Sequence, residues 1–206
     1  MSGNEVREPA APVTPRRRNV RSERSMRKLV AAAIEELSES SYGELTVRSV
    51  AARAAVSPTT AYTYFPSKDA LIAEVYLRLV REAAVFTDVN ESAEARVKAQ
   101  LRELALLIAD RPHLADACTI ALMADNVAVN EVRVHIASEV SRRIAASLGP
   151  GYPPAVTTTL HLLFSGAMMH ARSSAGGYLQ VAEQLNDAVS MVLCRRPSVI
   201  TTGDPQ

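Results

Sequence analysis

Residues 45–71 read LTVRSVAARAAVSPTTAYTYFPSKDAL, and the pattern in this stretch decides the fold. Val47, Val50, Ala51 and Ala54 fall on one face of a 3.6-residue helix. Thr46 stands just ahead of them, where a hydroxyl can accept from the free N–H groups of a first turn. The helix is short, because Ala54-Ala55-Val56 forms a connection and Ser57 caps a new helix. Pro58 then occupies the first helical position, where its missing N–H costs nothing. Pro66 ends that second helix and Ser67 caps the next. Two short helices joined by a tight turn make a helix-turn-helix.

The second short helix has the surface that a DNA major groove, roughly 12 Å wide, requires: outward residues that are small or polar. Pro58, Thr59, Thr60 and Thr63 meet that requirement, while Ala61 and Phe65, four residues apart, point inward to hold the core. The hydroxyls of Tyr62 and Tyr64 can reach phosphate oxygens, and Lys68 places a charge beside the N–H groups that open the following helix. The spacing of the two tyrosines allows at most one to be wholly buried. Thr46 is expected both to cap and to touch DNA, Ser67 to cap only, and Ser57 is open between the two roles. Arg53, one turn beyond Arg48, is expected to be a solvated charge.

Outward from this stretch the chain continues as helix. Met26, Leu29, Val30, Ala33, Ile34 and Leu37 define a first helix that begins near Ser22 and ends near Tyr42-Gly43. After Ser67, Leu71, Ile72, Val75, Tyr76, Leu79 and Val80 form the stripe of a fourth, running to about Phe86. Val97 to Ile108, Leu114 to Leu122 and Val132 to Leu148 mark three more, the last stopped by Gly149-Pro150-Gly151. Pro153-Pro154 opens an eighth and Gly176-Gly177 separates it from a ninth, which ends at Cys194. The expected fold is therefore all-α, with about nine helices. Residues 22–68 form a three-helix DNA-binding domain, residues 69–194 a second helical domain, and residues 195–206 a disordered tail.

Residues 1–21 read as a flexible arm, since Pro9, Pro12 and Pro15 oppose helix and no apolar period is present. Within residues 16–28, Arg16, Arg17, Arg18, Arg21, Arg24, Arg27 and Lys28 face only Glu23. Such a block suits phosphate as well as it suits a solvated tail.

Composition excludes several classes. Of 206 residues, 48% are hydrophobic and 22% charged, enough for a real core and against disorder as the main state. Only 4% are aromatic, which disfavours a β-sandwich. Cys118 and Cys194 are too far apart in sequence for a zinc or disulfide framework, and a reducing cytoplasm is expected. No secretory signal and no membrane span are read. His113, His135, His161 and His170 lack metal-ligand spacing, Ser165 lacks a G-x-S-x-G setting, and no phosphate-cradling glycine loop occurs. Neither an enzyme nor a bound cofactor or metal is expected.

The run from Leu45 to Leu71 resembles the N-terminal DNA-binding domain of TetR-type transcriptional regulators, and the likeness extends over about Arg24 to Tyr76. The Val-Ser turn, the Tyr-x-Tyr-Phe run and the Ser-Lys-Asp cap fall together at that family's spacing. The resemblance implies an all-helical homodimer that represses a promoter and releases it when a small molecule enters the second domain. It also implies that Thr46 and Tyr64 touch phosphate and Arg48 a base edge. Thr59, Thr60 and Thr63 would then meet the groove floor, and Tyr62 and Lys68 the DNA backbone. Two positions depart from the family's pattern: Ala55 stands where glycine is usual, and Ala61, where a larger aliphatic is usual, thins the core.

The eighth helix carries Val156, Leu160, Leu162, Leu163, Phe164, Ala167, Met168 and Met169 over more than one face, so one side is expected to pack inside the subunit and another against a partner. Val181, Leu185, Val189 and Val192 of the ninth are expected to complete a four-helix interface about a two-fold axis. Few polar anchors accompany Leu104, Ile108, Cys118, Leu122, Met123, Phe164 and Met168. These residues point to an apolar effector, although core packing explains them equally well. The competing readings are a helical protein-interaction scaffold and an effector-independent DNA-binding protein.

Overall fold

The computed structural model describes residues 15–171 and 174–194, with side chains from residue 21 onward. These residues contain helices and no strand: α1 (Pro15–Glu39), α2 (Val47–Arg53), α3 (Pro58–Tyr64), α4 (Lys68–Glu82), α5 (Ala93–Leu106), α6 (Pro112–Leu122), α7 (Val127–Leu148), α8 (Pro154–His170) and α9 (Gly177–Cys194). None of them is long and apolar enough to cross a membrane.

Short-range chemistry sets most of the boundaries. Thr46, Ser57 and Ser67 each accept from a backbone N–H three residues on, so all three cap as expected. Ser92 and Asn126 cap α5 and α7 in the same way. The start of α1 and the end of α4 differ most from the sequence expectation, and α1 also ends at Glu39, ahead of Tyr42-Gly43. Helix α1 starts at Pro15, so residues 15–21 of the expected arm are helical. Arginine is a strong helix former that needs no apolar face, and proline is tolerated in a first turn, so helix runs ahead of the apolar period that starts at Met26. Helix α4 stops at Glu82 instead of near Phe86, with Ala83 in an extended conformation. The remainder of the arm and the tail expected over residues 195–206 lie outside the described residues.

Helices α1, α2 and α3 pack together, and α4 lies against α1 on one side and against α6 and α7 on the other. Helices α5, α7, α8 and α9 form the rest of the bundle. One apolar core runs through both parts, from Leu29, Leu37, Val50, Ala61 and Phe65, through Leu71 and Val75, to Leu101, Leu114, Ile144, Leu160 and Leu185. The expected boundary between residues 68 and 69 falls inside the first turn of α4. Helix α4 runs unbroken across that boundary and packs against α1, α6 and α7.

Helix α8 has two faces. Leu160 and Phe164 are buried, and Val156, Ala167 and Met168 pack against the core. Leu162 and Met169 are 68% and 67% exposed, and Leu163 also faces solvent. Helix α9 corrects an expectation: Val181, Leu185 and Val189 are buried within the subunit, and Val192 packs against the same core, so this stripe is not free for a partner. The period of a stripe shows that it is covered, not by which chain. The solvent side of α9 instead carries Leu179, Glu183, Gln184, Asp187 and Met191.

The α2–α3 turn keeps its shape without glycine. Ala55 has φ 52°, the left-handed region, with Ala55 N–H donating to the Ala52 carbonyl at 3.1 Å and Val56 N–H to the Ala51 carbonyl at 2.9 Å. This paired closure is a Schellman ending, in which the left-handed residue is normally glycine. An alanine there costs about 1–2 kcal/mol, partly offset by glycine's larger entropy loss. Ala55→Gly is therefore expected to raise the unfolding free energy by about 0.5–1 kcal/mol. A higher urea midpoint with unchanged slope would register it.

Candidate nucleic-acid interface

Helix α3 presents a surface without charge. Ala61 is fully buried and Phe65 is 5% exposed, which anchors one side. Pro58, Thr59, Tyr62 and Thr63 lie exposed on the other, with Thr60 half-buried beside them. The hydroxyls are held in place: Thr63 Oγ1 donates to the Thr59 carbonyl at 2.9 Å, and Thr60 Oγ1 lies 2.7 Å from Ser57 Oγ. Ser57 Oγ also accepts from Thr60 N–H at 3.2 Å, so it is occupied as a cap. Tyr62 is half-exposed, whereas Tyr64 is partly buried against the core. Neither ring is wholly buried, and the two hydroxyls sit on different sides of the helix.

Helix α2 is tied to α1 through groups that the sequence reading passed over. Thr46 Oγ1 accepts from Ser49 N–H at 3.0 Å while Ser49 Oγ accepts from Thr46 N–H at 3.1 Å, a reciprocal capping box. Ser49 Oγ also donates to the Glu36 carboxylate. The Thr-x-x-Ser spacing is the signal that could have revealed this, although the motif more often ends in Glu or Gln. Arg53, expected to be solvated, forms an ion pair with Glu39 at 2.7 Å and lies 4.0 Å from Glu36. Hydrogen bonding from Arg53 holds the Glu39 carboxyl below its usual range. Arg48 is exposed on the opposite side of α2, with no ion-pair partner among the described residues.

Lys68 is partly committed inside the protein. Its Nζ donates to the Tyr42 carbonyl at 2.9 Å and stands 4.0 Å above the Tyr42 ring, while the Tyr42 hydroxyl donates to Asp69. Burial, and after it the Asp69 carboxylate, push the Tyr42 phenol above its usual range. The cluster ties the α1–α2 connection to the first turn of α4. Thr46, Arg48, Pro58, Thr59, Tyr62 and Thr63 are thus exposed at α2 and α3, and Thr60, Tyr64 and Lys68 are half-buried.

Most of the residues expected to receive an effector lie in or against the apolar core. Leu104, Ile108, Cys118 and Phe164 are buried in the continuous core, and Leu122 and Met168 pack against it. Met123, 64% exposed, lies at the C-terminal end of α6. Burial pushes the Cys118 thiol up to about 12, so it stays protonated at neutral pH. A cavity of about 330 Å³ opens between α1 and α4, lined by residues that include Met26, Arg27, Glu74 and Arg78. None of the residues expected for the effector lines it.

A family model described as bacterial regulatory proteins, tetR family, matches residues 29–75. Uncharacterized HTH-type transcriptional regulators of Mycobacterium bovis and Mycobacterium tuberculosis are 46% identical over 188 residues, covering 90% of this chain and 88% of theirs. Among solved structures, a TetR transcriptional regulator from Rhodococcus sp. RHA1 superposes with a TM-score of 0.74 at 20% identity, covering 86% of this chain and 99% of that one. A tetR-family regulator from Streptomyces coelicolor gives 0.58 at 17% identity, covering 84% and 81%.

Proposed function

Because the chain belongs to the TetR family of bacterial transcriptional regulators, we propose that it binds a palindromic operator as a homodimer, represses the genes behind it, and lets go when a small apolar effector enters the domain that follows α3. The observation that carries the DNA-binding part is the uncharged outer face of α3. Small hydroxylated residues face outward there while Ala61 and Phe65 fix the helix from within. Such a face can enter a groove without steric or electrostatic cost, and the flanking Arg48 and Lys68 supply positive charge at its edges.

Homodimerisation is supported by the outer face of α8. Leu162, Leu163 and Met169 stand in solvent beside Thr159 and Gly166, small residues that let another helix approach. The apolar character of the effector rests on the residues of the second domain, where Leu104, Ile108, Cys118, Leu122, Phe164 and Met168 supply hardly any polar anchor.

Selection of bound duplexes from a random pool, followed by footprinting, tests the reading. The expected result is a palindrome with two protected half-sites about 34–36 Å apart, or a multiple of that distance. Equal retention of unrelated sequences would favour an effector-independent DNA binder, and no retention at all a protein-interaction scaffold.

A further inference from the structure

The cleft between α1 and α4 has a charge pattern that neither DNA binding nor core packing uses. Its floor is apolar, since Val30 is buried and Met26 packs against the core. Beside this floor Glu74 of α4 is half-buried, with no hydrogen bond or ion pair to its carboxylate among the described residues. Burial raises the Glu74 carboxyl above its usual range, against the opposing fields of Arg81, of His135 on α7 and of Arg78. Arg78 is itself occupied, because its Nε stands 2.7 Å from Glu82. Two exposed guanidiniums stand at the mouth, Arg27 on the α1 wall and Arg81 on the α4 wall. Neither has an ion-pair partner among the described residues. Glu23, one turn before Arg27, is exposed at the same rim.

Three carboxylates and three guanidiniums line the cleft, so a ligand of single charge loses at one group what it gains at another. A molecule carrying both signs gains at both. The signs are also sorted by depth. Once Arg78 and Glu82 are paired, the free carboxylate lies inside and two free guanidiniums outnumber Glu23 outside. An ammonium hydrogen-bonded to Glu74 would restore the polar partner that burial has removed, in a setting where charge-assisted bonds are stronger than in water. The planar forks of Arg27 and Arg81 match a carboxylate arriving behind it. A volume of about 330 Å³ is at the small end of the roughly 300–1,000 Å³ typical of small-molecule sites.

We propose that the cleft between α1 and α4 binds a small zwitterion of the free amino-acid class, with its ammonium on Glu74, its carboxylate between Arg27 and Arg81, and an apolar side chain against Met26 and Val30. This site is separate from the apolar interior to which the effector reading assigns its ligand, and the two are tested apart.

Isothermal titration of the full chain with L-leucine and with L-phenylalanine is the first measurement. Saturable binding of at least one of them, with Kd below about 1 mM, is expected. Its N-acetyl derivative, which lacks the ammonium, and its amide, which lacks the carboxylate, should each bind at least about tenfold more weakly. Glu74→Gln keeps the size of the side chain and removes its charge, and is expected to weaken binding by about tenfold or more, as is the double variant Arg27→Gln, Arg81→Gln. Arg102→Gln, on the exposed side of α5, should bind as the wild type does. None of the substituted side chains belongs to the apolar core, and circular dichroism checks that each variant is folded. Absence of saturable binding for both amino acids up to about 10 mM overturns the proposal. So does equal binding by the N-acetyl derivative or by folded Glu74→Gln. An amide that binds as tightly as its parent or tighter makes the cleft a site for organic cations and overturns the zwitterion. Release of operator DNA by an apolar compound, with no amino acid bound, would strike this proposal alone and leave the effector reading standing.

Discussion

Replacing Leu162 and Met169 together by glutamate is expected to leave each subunit folded, to dissociate the dimer, and to lower operator affinity by roughly 100- to 10,000-fold. The two positions lie two turns apart on the solvent face of α8, with Gly166 between them. Neither side chain contributes to the core of its own subunit. Exposed positions of this kind ordinarily change subunit stability by less than about 0.5 kcal/mol, and glutamate is a good helix former. In a two-fold interface the same substitutions remove apolar burial worth about 1.5–3 kcal/mol per large side chain and set carboxylates against their symmetry mates. Operator affinity falls with the dimer, because the second half-site is no longer held at the high effective concentration that the first contact provides. Sedimentation and operator titration on one preparation measure both effects. Retained dimers with unchanged affinity would move the interface elsewhere, and the exposed Ile120, Met123 and Val127 around the α6–α7 turn would be the next surface to test.

What the sequence made legible follows the range of the interactions involved. The caps at Thr46, Ser57 and Ser67, and the inward pair Ala61 and Phe65, depend on residues within about one helical turn, so the α2–α3 unit could be placed before any coordinates. The end of α4 could not, because the carbonyls of Arg81, Ala83 and Ala84 are claimed by Arg143, which is remote in sequence. The same limit hid the Ser49–Glu36 bond and the hold of Tyr42 on Lys68. Apolar patterning also carries no information about what covers a face. Val181, Leu185 and Val189 serve the subunit's own core, while Leu162 and Met169, equally apolar, face solvent. For the same reason an apolar roster such as Leu104, Ile108, Cys118 and Phe164 does not separate a ligand chamber from packed interior. Arginine in the first turns of α1 had the converse effect, since a helix can start on propensity alone where no apolar stripe announces it.

Arg48→Ala is expected to cost about 1–3 kcal/mol of operator binding, roughly five- to 150-fold, concentrated at one base position of each half-site. The basis is a contrast within α2. Arg53 spends its guanidinium on Glu39 at 2.7 Å and braces α2 against α1. Arg48 is exposed and has no such partner among the described residues, so its guanidinium is available for a bidentate contact with a base edge. Helix α2 is anchored at its first turn by the Thr46–Ser49 box and by Glu36, so an arginine two residues after the cap is delivered from a fixed platform. Binding to operators varied one base at a time separates the two roles that Arg48 can have. Loss of preference at a single position identifies a base contact, and Arg53→Ala should leave that preference intact. Equal weakening on every sequence, with the slope of log affinity against log salt reduced by about 0.9 for each arginine lost, would identify a phosphate contact instead.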